Sequence, residues 1–263
     1  MCFEEPASCK LPEVIVLGSG TSNGVPTLGV TYPPAFLANP KNHRMRASIM
    51  FVGPTGNLLV DCPPEMRLQV TGLGITEIEA VVITHTHADH IMGMDDLRSL
   101  CLKTGLPVTV YTLKHHEADI KRVFEYAFKE FPPGILVPRF DLRPMPDLLE
   151  VGGMHVQSFV VDHGPSKVIG LRVNDFAYIT DVSYIPPDAR RKLDGLEVLI
   201  LDAVRYAPHP NHYHMAKAIE VAHEIGARRT YFTHLCDDYD HDLVNLTLPE
   251  TMELAYDGLR FSI

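Results

Sequence analysis

Short apolar runs that end in a histidine or an aspartate give this chain its pattern. Residues 14–17, 48–52, 58–61, 81–84 and 107–112 are rich in Val, Ile and Leu, and each is short enough to read as a buried strand. The second and third are separated by Gly53-Pro54-Thr55-Gly56 and predict a hairpin. A helix is expected from Pro64 to about Thr71, with proline near its first turn. Leu97, Leu100 and Cys101 recur at helical spacing, and residues 114–130 predict an amphipathic helix with Ile120, Val123, Phe124, Ala127 and Phe128 on one face. Residues 131–150 contain five prolines and read as a long irregular connection. The pattern then resumes with a strand at 155–161, a hairpin over 168–173 and 176–180, and a strand at 197–202. A helix at 213–225, a strand at 229–232 and an edge strand in the tail after 253 complete it.

Polar residues at the ends of these runs carry the candidate chemistry. The run at 81–84 opens into His85, His87, Asp89 and His90, all within six residues on a turn from strand to helix. Such a turn folds back, so His85 and His87 can converge on one ion while Asp89 and His90 face another. Imidazole nitrogen and carboxylate oxygen suit zinc, manganese or iron. His163, Asp181 and His234 also follow directly on apolar runs. Strands of one sheet that end at the same edge would bring all of these together. Asp61 likewise ends a run, and two readings stay open for it: a carboxylate that orients a ligand histidine, or a turn cap. The glycine-rich stretch 18–29 has neither dinucleotide-loop nor P-loop spacing, and Pro26 interrupts the helix those loops need. It reads as a loop whose glycines let backbone pass near the site, or as an ordinary tight connection. Residues 31–46 read as a solvated surface loop, His115 and His116 as surface residues, and Arg98 as a helix salt bridge.

Composition narrows the classes. Hydrophobic residues make up 46% of the 263, enough for a sizeable core, and the formal net charge of −10 argues against a sequence-independent nucleic-acid binder working through a basic surface. An anionic substrate is still compatible, because bound cations would dominate the local field. Cysteines stand at 2, 9, 62, 101 and 236, with no Cys-x-x-Cys pair, so a disulfide framework is not expected. The first ten residues carry acids and no basic leader, and no run of 18 apolar residues occurs, so a cytoplasmic location without a membrane span is expected.

His-x-His-x-Asp-His at 85–90 resembles the shared motif of the metallo-β-lactamase superfamily. The resemblance implies that His85, His87 and His163 hold one metal, that Asp89, His90 and His234 hold a second, and that Asp181 bridges them. It implies an α/β fold, the four-layer αβ/βα sandwich of two mixed sheets flanked by helices, with 1–263 as one hydrolase domain. An aspartate at the bridging position is typical of the phosphodiesterase and thiolesterase branches. Gly-Thr-Ser-x-Gly-Val-Pro at 20–26 and Asp-Asp-Leu-Arg at 95–98 are similar to the branch of the phosphoribosyl 1,2-cyclic phosphate phosphodiesterase of the carbon–phosphorus lyase pathway, itself related to the tRNA 3′-processing endonucleases. Both groups carry a histidine before the last long helix that protonates the leaving oxygen; His212 takes that position, with His214 as a helper or a helix-start residue.

The activity implied is a binuclear phosphodiesterase using zinc, manganese or iron, a metal-shared hydroxide as nucleophile and His212 and Asp89 as catalytic residues. Its substrate would be a small cyclic phosphate or nucleotide-like phosphodiester. No membrane or extended nucleic-acid surface is implied, and a homodimer is one of the assemblies found among relatives. A thiolesterase or lactonase of the same fold, and a metal-stabilised nucleotide-binding module, are the alternatives. Two features depart from the relatives. Residues 30–46 lack the cysteines that bind a structural zinc in the phosphonate-pathway enzyme, so that zinc is not expected. Asp237 stands where relatives carry a histidine or arginine, and an acid there would repel a phosphate.

Overall fold

The computed structural model describes residues 11–132 and 134–263; Cys2 and Cys9 lie outside them. Fourteen strands among the described residues form two seven-stranded sheets. The first is ordered β14-β1-β2-β3-β4-β5-β6 and holds β1 (Glu13–Gly18), β2 (Ser48–Val52), β3 (Asn57–Val60), β4 (Ala80–Val82), β5 (Val108–Thr112), β6 (Phe140–Pro144) and β14 (Arg260–Ser262). The second is ordered β13-β12-β11-β10-β9-β8-β7 and holds β7 (Leu148–Val151), β8 (Met154–His163), β9 (Ser166–Val173), β10 (Phe176–Ile179), β11 (Val198–Asp202), β12 (Arg229–Thr233) and β13 (Met252–Leu254). Helices α1 (Pro34–Ala38), α2 (Met66–Gly72), α3 (Ala88–Ile91), α4 (Arg98–Thr104), α5 (Glu117–Val123), α6 (Pro187–Arg191), α7 (Met215–Ile225) and α8 (His241–Asn245) connect the strands.

The continuous apolar runs follow from burial on both faces. In β1, Val14 and Val16 pack between the sheets against residues such as Leu171 and Tyr178 of the second sheet. Ile15 and Leu17 pack outward with Met66 and Val70 of α2, Cys101 of α4 and Ile120 of α5. On the far side, Leu199, Leu201 and Phe232 pack against Ala189 of α6, Ala218 and Val221 of α7 and Val244 of α8. The order is helix, sheet, sheet, helix: the αβ/βα sandwich. Strands covered on both faces have no polar face to show, which is why they read as runs rather than alternations.

Strand directions place the site. β3 and β4 are parallel, as are β10, β11 and β12, and β8 runs with β10 because both are antiparallel to β9. The ends after β3 and β4 carry Asp61 and His85; those after β8, β10 and β12 carry His163, Asp181 and His234. The expectation of one converging sheet is therefore corrected. The ligand-type residues come from matching edges of two sheets, which double-sided burial hides in the sequence.

Other expectations are corrected by packing. The helix expected over 114–130 is a 3-10 turn, α5 and a second 3-10 turn, because Phe124 leaves the helical region (φ −109°, ψ 41°). That break lets Ile120, Phe124 and Ala127 all reach the core while Phe128 turns outward. Residues 131–150 contain two strands: β6 pairs with β5 and β7 with β8, each outermost in its sheet, where proline is tolerated. The supposed surface loop 31–46 contains α1 and buries Asn42 and Arg44. Arg44 is 1% exposed, and its guanidinium donates to the Tyr239 carbonyl at 2.8 Å and the Cys236 carbonyl at 3.4 Å. It thus braces the segment after His234, and burial lowers its pKa to about 10. His116, expected on the surface, is 5% exposed; burial, then His115, lowers its pKa to about 4.

The glycine loop earns its glycines by close approach. A Cβ on Gly18 would collide with the Arg46 carbonyl oxygen, and one on Gly20 would lie 2.8 Å from that of Arg44. Gly20 is also bridged to Leu235, next to His234, so the loop does run beside the site. Gly18→Ala is expected to lower the unfolding free energy by about 1–3 kcal/mol, read from the urea midpoint at constant slope. Among the described residues no helix is long and apolar enough to cross a membrane.

Candidate metal centre

Three residues at this edge have left-handed backbones: Asp61 (φ 65°), Asp181 (φ 51°) and His234 (φ 60°). None is glycine; Asp61 and His234 turn the chain directly after their strands, and Asp181 one residue after its own. Such conformations cost about 1–3 kcal/mol each and persist only where the surroundings hold them.

The side chains meet in two groups. His85, His87, His163 and Asp181 offer ligand atoms all within 4.8 Å of one another, and so do Asp89, His90 and His234. Asp181 stands between them. Its Oδ2 lies 3.7 Å from His85 Nε2 and 3.9 Å from His163 Nε2. Its Oδ1 lies 3.3 Å from His90 Nε2 and 3.5 Å from His234 Nε2. Asp89 Oδ2 closes the second group, 3.4 Å from His90 Nε2 and 3.5 Å from His234 Nε2. All seven residues picked out in the sequence are thus brought together. His87 alone among them is solvent-exposed.

Hydrogen bonds fix which nitrogen each ring turns inward. His90 Nδ1 donates to Asp61 Oδ2 at 2.7 Å. His163 Nδ1 donates to the Asn211 carbonyl at 2.7 Å. The Thr84 hydroxyl donates to Asp61, so at 3.2 Å it accepts from His85 Nδ1–H. When neutral, as a metal-ligating ring must be, His85, His90 and His163 therefore present bare Nε2 lone pairs to the centre. His90 Nε2 and both nitrogens of His234 are buried with no hydrogen-bond partner. Unpartnered buried nitrogen is costly, and a divalent cation would satisfy it; nitrogen and carboxylate oxygen in these groups are the donor set such ions take. The residues fit the cations.

The electrostatics agree. Burial would raise the Asp181 carboxyl, but His234 and His90 outweigh it and hold it well below the usual range. Burial would lower His234, yet Asp181 and Asp89 raise its pKa to about 9. Buried carboxylates facing these rings make an environment that favours positive charge.

Two carboxylates work behind the ligands. Asp61 is fully buried and accepts from His90, from the Thr84 amide at 2.8 Å and from the Thr84 hydroxyl. Of the two readings left open for it, the hydrogen bond to His90 is the one seen. Asp61→Ala leaves three buried donors without their acceptor. The expected result is a loss of about 3–5 kcal/mol in stability and of about 10–100-fold in metal affinity. Urea unfolding and competition with a chelating dye read the two separately.

Asp202 was missed in the sequence, although it ends an apolar strand as Asp61 and Asp181 do. Its Oδ2 accepts from the Val182 amide at 3.0 Å and from His212 Nδ1 at 2.9 Å, and Oδ1 lies 3.8 Å from His234 Nδ1. His212 stacks on His234 with ring centroids 4.8 Å apart, and its Nε2 is 3.9 Å from Asp181 Oδ2. His214 occupies the position just before α7, with no side-chain capping hydrogen bond. Arg98 pairs with Asp95 on its own turn, as expected. Asp237 accepts from the Tyr32 hydroxyl, so its carboxylate is tied to the loop before α1.

Residues 56–235 match the β-lactamase superfamily domain model. A solved structure of a diphosphatase from the PhnP family is 36% identical, with a TM-score of 0.88, and the alignment covers 96% of this chain and 98% of that one. An octanoyltransferase of Porphyromonas gingivalis is 31% identical over 251 residues, covering 93% of this chain; the chain spans only 50% of that protein's length. A ribonuclease Z of Methanopyrus kandleri is 25% identical, covering 84% of this chain and 93% of that protein. With this fold, this residue set and these matches, the chain belongs to the β-lactamase superfamily of metallo-hydrolases and, within it, to the PhnP family.

Proposed function

We propose that this chain is a binuclear phosphodiesterase acting on a small phosphodiester. The observation that carries the reading is the position of Asp181, with one oxygen toward each ligand group, beside a histidine backed by its own carboxylate. His85, His87 and His163 would hold one divalent cation, Asp89, His90 and His234 another, and Asp181 both. Zinc, manganese or iron bound there would supply Lewis acidity at the phosphoryl oxygens and lower the pKa of water.

The chain's own groups do the rest. Asp61, Thr84 and the Asn211 carbonyl hold the ligand rings in place, which spares reorganisation during the reaction. Asp202 takes the Nδ1–H of His212, so the proton that His212 transfers is the one on Nε2. An alkoxide is a poor leaving group, and that proton removes the difficulty. Asp89, against both His90 and His234, would take the proton that the attacking water gives up. With Asp237 engaged by Tyr32, its charge is partly spent on that hydroxyl, and an anionic substrate meets less repulsion than the sequence suggests.

The second reading is a thiolesterase or lactonase at the same centre; the octanoyltransferase relative, of which the chain spans half, handles an acyl group. The test is protein stripped of metal, refilled with manganese or zinc, and given bis(p-nitrophenyl) phosphate beside an octanoyl thioester. Turnover of the phosphodiester with little of the thioester is expected. Turnover of the thioester alone would overturn the proposal in favour of the second reading.

A further inference from the structure

The first sheet ends in a strand with one open side. β6 pairs in parallel with β5, and among the described residues no strand lies on its other side. Two backbone bonds at its ends show which way its residues face. The Arg139 carbonyl accepts from the Val108 amide at 2.9 Å, and the Met145 amide donates to the Thr112 carbonyl at 2.8 Å. Bonds to one neighbour come from alternate residues of a strand. Asp141 and Arg143 therefore bond toward β5. The N–H and C=O of Phe140 and Leu142 point off the edge, as does the Pro144 C=O. No hydrogen bond to these groups occurs among the described residues.

The side chains of the strand divide by face. Phe140 and Leu142 pack in the outer core with Cys101 and Ile120. Asp141 and Arg143 lie on the opposite face, with side chains 44% and 52% exposed, and Arg143 Nε donates to Asp141 Oδ2 at 2.8 Å. Apolar side chains are exposed beside the start of the strand. Phe128 is one, with its ring 6.0 Å from that of Phe140. Leu106 is another, next to the Gly105 carbonyl that accepts from Arg139 at 2.6 Å.

We propose that β6 is the contact surface for a second copy of this chain, the two strands pairing antiparallel about a two-fold axis at Leu142. In that register the N–H and C=O of Leu142 bond to the same groups of the second copy. The Phe140 N–H meets the C=O of the second copy's Pro144, and proline lacks only the N–H that would extend the ladder. Asp141 stands opposite the second copy's Arg143, and Arg143 opposite its Asp141. These pairs flank a hydrogen-bonded pair, where facing side chains come closest. With the axis at Asp141 that carboxylate would face its own copy, and with the axis at Arg143 two guanidinium groups would meet, so one register is favoured. Charges and proline on an edge strand turn away stray strands. Here the same charges admit this one. The edge strand of the second sheet, β7, exposes Leu148 and Glu150 and has no such match.

The test is sedimentation of metal-loaded wild type, Asp141→Arg and Arg143→Asp, with the two variants run alone and mixed. Wild type is expected to dimerise reversibly. Each variant alone sets like charges opposite one another, and its dimer dissociation constant should rise about 10–100-fold. In the mixture one chain carries only positive charge at these two positions and the other only negative, so a heterodimer of near-wild-type affinity should form. The double variant Asp141→Arg/Arg143→Asp should dimerise as wild type does. It keeps an ion pair within the strand, so it gives the answer if a single variant fails to fold. Monomeric wild type would overturn the proposal and leave the edge to another partner or to solvent. A dimer that neither reversal weakens would place the interface elsewhere and overturn it too. So would failure of both the mixture and the double variant to associate.

Discussion

His212→Ala should lower kcat by about 10²–10⁴ on a phosphodiester with an alkyl leaving group, and far less on bis(p-nitrophenyl) phosphate. The difference follows from what the ring does. Nitrophenolate leaves without help, whereas an alkoxide needs the Nε2 proton. Asp202 is part of the same device, because its bond to Nδ1 aims the ring. Asp202→Asn should reproduce part of the loss on the alkyl substrate. It should also disturb Val182, whose amide shares Oδ2. Steady-state kinetics on the two leaving groups is the check. Equal losses on both would assign His212 to holding a ligand or the loop instead of protonating the leaving oxygen.

Asp181→Ala should be more damaging still, at about a thousandfold or more in kcat on every substrate, because the carboxylate faces both groups of ligands. Its removal leaves His85, His90 and His234 without the negative charge that offsets cations. It also puts alanine at φ 51°, a conformation disfavoured for a residue with a Cβ and no local hydrogen bond. Asp181→Asn separates the two effects, since asparagine tolerates the left-handed backbone but lacks the charge. Near-wild-type stability with lost metal in the asparagine variant is the expected pair of results, read by thermal unfolding and elemental analysis.

Much of this centre is legible in the sequence, for physical reasons. Four ligand-type residues within one turn must be neighbours whatever the fold does around them. His163, Asp181 and His234 are legible because each ends an apolar run, and parallel strands share an edge. The split between two sheets is not, since a strand buried on both faces looks alike in either. Asp202 is legible by the same rule as Asp181, since it too ends an apolar strand. The burial of Arg44 and His116 was not, because their partners, the carbonyls of Cys236 and Tyr239 for the first and a 3-10 turn for the second, exist only in the fold. The strands β6 and β7 are hidden by the prolines around them, of which Pro144 ends β6 at the edge of its sheet.

In the proposed reading two cations would share Asp181, and the most direct test is to count them. Elemental analysis of protein refilled with zinc or manganese and freed of excess ion should find two bound ions per chain, with bis(p-nitrophenyl) phosphate turnover maximal only at the second. Full turnover at one ion per chain, or no bound ion at all, would contradict a binuclear centre.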